Sequence, residues 1–177
     1  MIFCPLSGTP LITQGFGQNS DMYSAFGLSG HNGIDFGCPE GTTVYAPHDG
    51  VATVIDHGVN DYGLYVIIQS SNRQSTLAHL SQATVSNGQM IAQGDPIGKS
   101  GKSGDATGPH LHWTYKLMSN GTTLNKNNGY QGAMDVTEFT RLWNDNDLHR
   151  NAQYADTAQE YLAMTFTPDQ YLKRTIV

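Results

Sequence analysis

Between residues 43 and 117 the chain alternates short β-branched or aromatic runs with turn residues, a rhythm that restricts it to sheets. Thr43-Val-Tyr-Ala46 is closed by Pro47. Val51-Ala-Thr-Val-Ile-Asp56 and Leu64-Tyr-Val-Ile-Ile-Gln69 flank a polar, glycine-containing loop and predict a hairpin. Ser75-Thr-Leu-Ala-His79 is the next expected strand, followed by turns at Asn87-Gly88 and Gly94-Asp95. Leu111-His-Trp-Thr-Tyr-Lys-Leu117 is the last clear one. Strands this short and closely spaced fit a mainly β fold of antiparallel sheets packed on each other, not βαβ units. The 20 glycines and a charged fraction of only 14% agree with many turns.

A chain of 177 residues has room for one domain with a real core. We expect a β domain over residues 1–134 and a helical C-terminal extension, packed on it, over 135–177. In the extension Val136, Phe139 and Trp143 recur at helical spacing, with Asp135 or Thr137 as N-cap. Thr157-Ala-Gln-Glu160 has capping-box form, and Thr167-Pro168 opens a further short helix. No apolar run approaches the roughly 20 residues of a membrane span. The start, Met1-Ile-Phe-Cys-Pro-Leu-Ser-Gly, lacks the basic and apolar segments of a signal peptide. The expectation is a chain made without its own export signal, or a piece of something longer. The net charge of −6 argues against nucleic acid as a partner. Cys4 and Cys38 could form one disulfide in an oxidising setting or remain thiols, the reading favoured here because nothing else marks export, and the chain is expected as a monomer.

Three stretches carry the chemistry: His31-Asn-Gly-Ile-Asp35, His79 in Leu-Ala-His-Leu-Ser, and His110-Leu-His112. Hydrolytic zinc sites take three ligands from His and Asp or Glu and leave a fourth position for water. His110 and His112, two apart on a strand, share one face at about 6–7 Å spacing. One imidazole can bind a metal while its neighbour stands beside the bound water. His31 and Asp35 would lie about 13 Å apart on a straight strand, so the chain must bend between them, and Gly33 is placed to permit it. His79 ends a strand, in position to overhang a groove. A single histidine is more often a surface or hydrogen-bonded core residue, the default for His48, His57 and His149. The joint occurrence of the three stretches is what points to a zinc hydrolase. Pro96-Ile-Gly-Lys-Ser-Gly101-Lys-Ser103 is a decoy: Pro96 stands where a phosphate-binding loop begins with glycine, and no helix follows. Residues 99–109 are expected to form a flexible rim loop.

Taken together, Gly30-His31-Asn-Gly-Ile-Asp35-Phe, Gly41-Thr-Thr-Val-Tyr-Ala46-Pro, Gly50-Val, Leu77-Ala-His79-Leu-Ser81, Gly94-Asp-Pro-Ile-Gly98 and Thr107-Gly-Pro-His110-Leu-His112 resemble the lysostaphin-like (LytM-type) zinc metalloendopeptidases. The resemblance covers about residues 10–117. It implies a β-sheet groove enzyme that cuts the peptide cross-links of bacterial peptidoglycan, either Gly-Gly bridges or D-Ala–diaminopimelate bonds. It also implies one Zn²⁺ held by His31, Asp35 and His112, with His79 and His110 as the catalytic histidines. Two positions depart from the pattern. Thr114 stands where many members carry Glu, which bears on a contact behind the metal, and Gln14-Gly-Phe-Gly-Gln-Asn19 lacks a common Arg. The missing signal and small size fit a phage lysin or the lytic tip of a phage particle acting on the wall from the periplasm or outside. The competing function is an inactive peptidoglycan-binding or scaffold module of the same fold. The five intact positions weigh against it.

Overall fold

The computed structural model describes residues 2–138 and 140–142. Its elements, in chain order, are β1 (Ile2–Phe3), β2 (Leu11–Gln14), α1 (Ser20–Ser24), β3 (Ile34–Gly37), β4 (Thr43–Tyr45), β5 (Gly50–Asp56) and β6 (Leu64–Gln69). They continue with β7 (Arg73–Ala78), β8 (Leu80–Ala83), β9 (Met90–Ile91), β10 (Pro96–Ser100), β11 (His110–Ser119), β12 (Thr122–Thr123) and β13 (Thr140–Arg141). The fold is mainly β and its two larger sheets are antiparallel, as the strand rhythm predicts. No helix among the described residues is long and apolar enough to cross a membrane.

The large sheet runs β2-β3-β11-β7-β6-β5-β9, with β12 paired to the end of β11. The expected hairpin is β5–β6, in unbroken register from Val51 opposite Gln69 to Asp56 opposite Leu64. A smaller sheet, β4-β10-β8, supplies Val44, Ile97 and Leu80 to the same apolar cluster that holds Ile34, Phe36, Val66, Ile68, Leu77, Leu111 and Trp113. Each such side chain, taken fully out of water, is worth about 1.5–3 kcal/mol. Cys4 lies inside this cluster as a thiol and Cys38 packs against it.

Three strands of the large sheet, β3, β11 and β7, position everything that follows. Their ladder puts His112 opposite Asp35 on one side and Ala78 on the other, with His110 opposite Gly37. The core side chains Leu111 and Trp113 alternate with the histidines, so packing of one face dictates which residues face the other.

Two expectations are corrected. The described start of the C-terminal extension is not helical. The Asp135 carboxylate accepts hydrogen bonds from the Thr137 backbone N–H (2.9 Å) and hydroxyl (2.6 Å), which closes a turn. The chain then extends, and Thr140–Arg141 pairs in parallel with Ile2–Phe3. Phe139, Trp143 and the helical signals at Thr157–Glu160 and Thr167-Pro168 lie outside the described residues, as does His149. The rim segment 99–109 is also no free loop. Ser100 ends β10, Gly101 bridges His110, and Ser103 to Asp105 are bonded to the 57–64 loop. Gly104 N–H donates to Gly58 O (3.2 Å), Asp105 N–H to Asp61 O (2.9 Å), and Leu64 N–H to Ser103 Oγ (2.9 Å). Gly63 and Gly104 approach so closely that a Cβ on either would sit 2.4 Å from backbone of the other. The two rims form one cross-linked unit.

Candidate metal centre

Asp35 and His112 are cross-strand neighbours, so their side chains leave the sheet side by side. His31 comes from the bend immediately before β3. Three donor atoms meet there: His31 Nε2 lies 2.9 Å from His112 Nδ1, and Asp35 Oδ1 lies 3.2 Å from the first and 2.9 Å from the second. All three residues are buried. Gly33 has a different duty from the one its position suggests. An added Cβ would lie 2.6 Å from the Trp113 carbonyl oxygen and 2.7 Å from His112 Cε1, so the absence of a side chain lets β11 and the His112 ring close on the bend.

The far nitrogen of each ring is held by an acceptor. His31 Nδ1 donates to Gly15 O (3.1 Å), which leaves a lone pair on Nε2 of the neutral ring. His112 Nε2 is 2.8 Å from Thr114 Oγ1, the position that departs from the family pattern. With the ring proton there, the lone pair of Nδ1 points at His31 Nε2 and at the Asp35 carboxylate. Two imidazole lone pairs and a carboxylate oxygen about 3 Å apart repel one another unless a cation lies between them. Zn²⁺ with ligands at about 2.0–2.1 Å has tetrahedral edges of about 3.3 Å, so the three atoms fit one ion after shifts of a few tenths of an ångström.

Two further imidazoles stand beside this triangle. His79 and His110 have ring centroids 4.6 Å apart, and His110 Nε2 is 3.8 Å from Asp35 Oδ2. The His79 backbone takes φ +61°, in the left-handed region that non-glycine residues rarely occupy, so its ring turns out of the strand direction as β7 ends. Two bonds hold that strained residue: its N–H donates to Tyr62 O (3.1 Å) and its Nδ1 to Ser103 O (2.8 Å). His110 Nδ1 donates to Gly108 O (2.8 Å). Each ring therefore keeps its Nε2 as the nitrogen available to a reactant.

Burial pushes the His79 imidazole down to about 4, against the opposing pull of the Ser103 carbonyl and with further lowering by His110 and His112, so it is a neutral base near pH 7. Burial likewise lowers His112, against the pull of Asp35. Burial alone would raise the Asp35 carboxyl. When the facing nitrogens of His112 and His31 carry protons, their hydrogen bonds and charge outweigh burial and hold the group well below the usual carboxylate range. The triangle thus brings a carboxylate oxygen and two imidazole nitrogens to one point.

All five residues singled out in the sequence converge here. His48 does not: it is buried in the core, bonded through Nδ1 to Asp49 O (2.8 Å) and through Nε2 to Ser75 Oγ (2.9 Å). His57 is a surface residue 3.5 Å from Asp61. Sequence reasoning missed Tyr62 and Tyr23. The Tyr62 ring stacks on His112 (centroids 5.1 Å, 27°), and its hydroxyl accepts from Asn32 Nδ2 at 3.0 Å. Tyr23 packs on His31 with centroids 5.3 Å apart, its hydroxyl accepting from Gln14 Nε2 at 3.2 Å. Tyr62 lies in the polar loop between the two hairpin strands, and Tyr23 on the five-residue α1; in segments so short an aromatic gives no periodic signal.

Known proteins share this arrangement of chain. Over 96 residues the sequence is 45% identical to peptidoglycan DD-endopeptidase ShyA of Vibrio cholerae, a match that takes in 54% of this chain but 22% of ShyA. The chain therefore spans about a fifth of the length of that relative. A crystal structure of a zinc-containing peptidase from Vibrio cholerae superposes with a TM-score of 0.60 at 27% identity, covering 81% of this chain and 41% of that one. The mutant catalytic domain of the prophage-encoded M23 protein EnpA of Enterococcus faecalis does so with a TM-score of 0.57 at 28% identity, covering 71% and 95%. Residues 29–126, which hold all five site residues, match Peptidase family M23. The chain belongs to Peptidase family M23, a family of zinc metallopeptidases.

Proposed function

We propose that the protein is a zinc metalloendopeptidase that hydrolyses peptide cross-links of bacterial peptidoglycan. The convergence of His31, Asp35 and His112, with His79 and His110 beside them, is the observation that carries this reading. In it His31, Asp35 and His112 would hold one Zn²⁺. When bound, the ion acts as a Lewis acid on the scissile carbonyl and acidifies water. His79 Nε2, neutral at pH 7, would take a proton from the attacking water as its oxygen adds to the carbonyl carbon. His110 Nε2 stands next to it. The proton taken up by this pair passes to the amide nitrogen as the C–N bond breaks, and the second proton of the water moves from the new carboxylic acid to the amine, leaving a carboxylate and an ammonium. Asp35, held anionic, is not part of the proton path.

Similarity to a peptidoglycan DD-endopeptidase supports the wall peptide as substrate and a periplasmic or extracellular place of action. Similarity to a prophage-encoded protein supports delivery by a phage. Residues 1–134 would be the catalytic unit, acting as a monomer, with 135–177 as its extension; the pairing of Ile2–Phe3 with Thr140–Arg141 supports packing of the two. Mass spectrometry of purified peptidoglycan of both cross-link types, digested with and without chelator, tests the activity. New amine termini at one cross-link, absent with chelator, are expected. A chelator-insensitive product, or no product with zinc-loaded protein, refutes it. His110→Ala should keep zinc and lose turnover, and normal turnover would refute the assigned roles.

A further inference from the structure

We propose that Thr114, with Tyr62 behind it, is a positioning residue that holds the His112 ring in its metal-binding orientation. The proposal rests on His112 being a ligand. Thr114 is two residues after His112 on β11, so both side chains leave the same face of the sheet. Its hydroxyl is buried with the rest of the residue and lies 2.8 Å from His112 Nε2.

The logic is one of proton placement. A ring that gives its Nδ1 lone pair to a cation must carry its proton on Nε2, and Thr114 Oγ1 is the acceptor aligned with it. The Tyr62 phenol stands behind the same ring, stacked on it with centroids 5.1 Å apart. That phenol is itself fixed by Asn32, which belongs to the bend between His31 and Asp35. The contacts that fix the ring therefore start at one ligand and return, through the stacked Tyr62 ring, to the segment that carries the other two. The Tyr62 ring, stacked on His112, restricts rotation of the imidazole about its long axis. A neutral hydroxyl does this without adding a second buried charge beside Asp35.

Partners of this kind behind a metal ligand typically contribute 10- to 100-fold in affinity. Zinc dissociation constants from competition with a chromophoric chelator provide the test, measured on the whole chain as wild type, Thr114→Val, Thr114→Ser and Tyr62→Phe. Valine keeps the β-branched shape and removes the acceptor, and is expected to weaken zinc binding roughly tenfold or more. Serine restores the hydroxyl and is expected to stay within about threefold of wild type. In imidazole ¹⁵N–¹H spectra of the zinc-loaded protein, a slowly exchanging His112 Nε2–H is expected in wild type and Thr114→Ser and not in Thr114→Val. Equal affinity of Thr114→Val and wild type overturns the proposal, and so does equal weakening by valine and serine, which would mark a packing role. If Thr114→Val does not fold, Tyr62→Phe carries the test, and unchanged affinity there overturns the proposal. Failure of wild type to take up zinc is a separate result that removes the proposed function itself.

Discussion

Gly33→Ala is the smallest change that should unmake the metal centre. The new methyl would lie 2.6 Å from the Trp113 carbonyl oxygen, 2.7 Å from His112 Cε1 and 2.9 Å from His112 Nε2. Ordinary carbon contacts begin at about 3.5 Å, so ring and methyl must separate by several tenths of an ångström. The ring has no room to give way elsewhere, being buried with Tyr62 stacked on it and Thr114 at its edge. Metal–ligand distances tolerate only about 0.2 Å. The predicted loss of zinc affinity is therefore at least tenfold, alongside about 1–3 kcal/mol of overpacking strain in the metal-free protein. Chelator competition and urea unfolding read the two separately. Gly108→Ala is the control, because a Cβ at Gly108 meets nothing within 4 Å. Wild-type zinc affinity in Gly33→Ala would refute the claim that close approach of the bend to β11 shapes the site.

Asp35→Asn removes the anionic corner of the triangle, and zinc affinity should fall by more than the roughly 100-fold that outer contacts reach, as measured by the same competition. His79→Ala should retain one zinc by elemental analysis while cleavage falls about 10²- to 10⁴-fold; an active variant would remove His79 from the proton path. Acid should weaken the fold through His48, whose imidazole burial pushes from 6.5 down to about 4. The unfolded chain protonates this residue below its ordinary value while the folded one does not, so stability is full above pH 6.5 and falls as pH drops toward 4. For one such group the loss between pH 7.5 and pH 5 is about 2 kcal/mol. Urea unfolding in chelator should show that His48→Gln loses this share of the pH dependence, and identical slopes for variant and wild type would contradict it.

The convergence of the five candidate residues was legible because zinc chemistry demands particular side chains and the strand period decides where they point. The β5–β6 hairpin was legible because Val51–Asp56 and Leu64–Gln69 are continuous runs bounded by turn residues. What stayed hidden depends on contacts distant in sequence. Gly33 looked like a hinge, whereas its role comes from Trp113 and His112, some eighty positions on. Residues 99–109 looked free because glycine and serine mark loops, yet those same small residues let the segment dock against 57–64. The spacing of Val136, Phe139 and Trp143 suggested a helix, but an Asp135 side chain able to bond nearby backbone favoured a turn at the start. Thr114 departed from the family pattern, and only the bond to His112 reveals what its hydroxyl does.

Because Asp35 and His112 face each other across a ladder, slipping β3 by one residue against β11 would turn the carboxylate away and expose Phe36 in the same step. Mis-registered molecules cannot keep a half-working centre; they lose solubility and chemistry together. Conversely, the rims, α1 and the chain ends can be exchanged without redesigning the reaction, provided Tyr62, Tyr23 and the tautomer-setting contacts are kept. The three central strands, together with the His31 bend and His79 just past β7, are the portable unit of this fold, and a graft carrying them in alignment is where an attempt to retarget its specificity should begin.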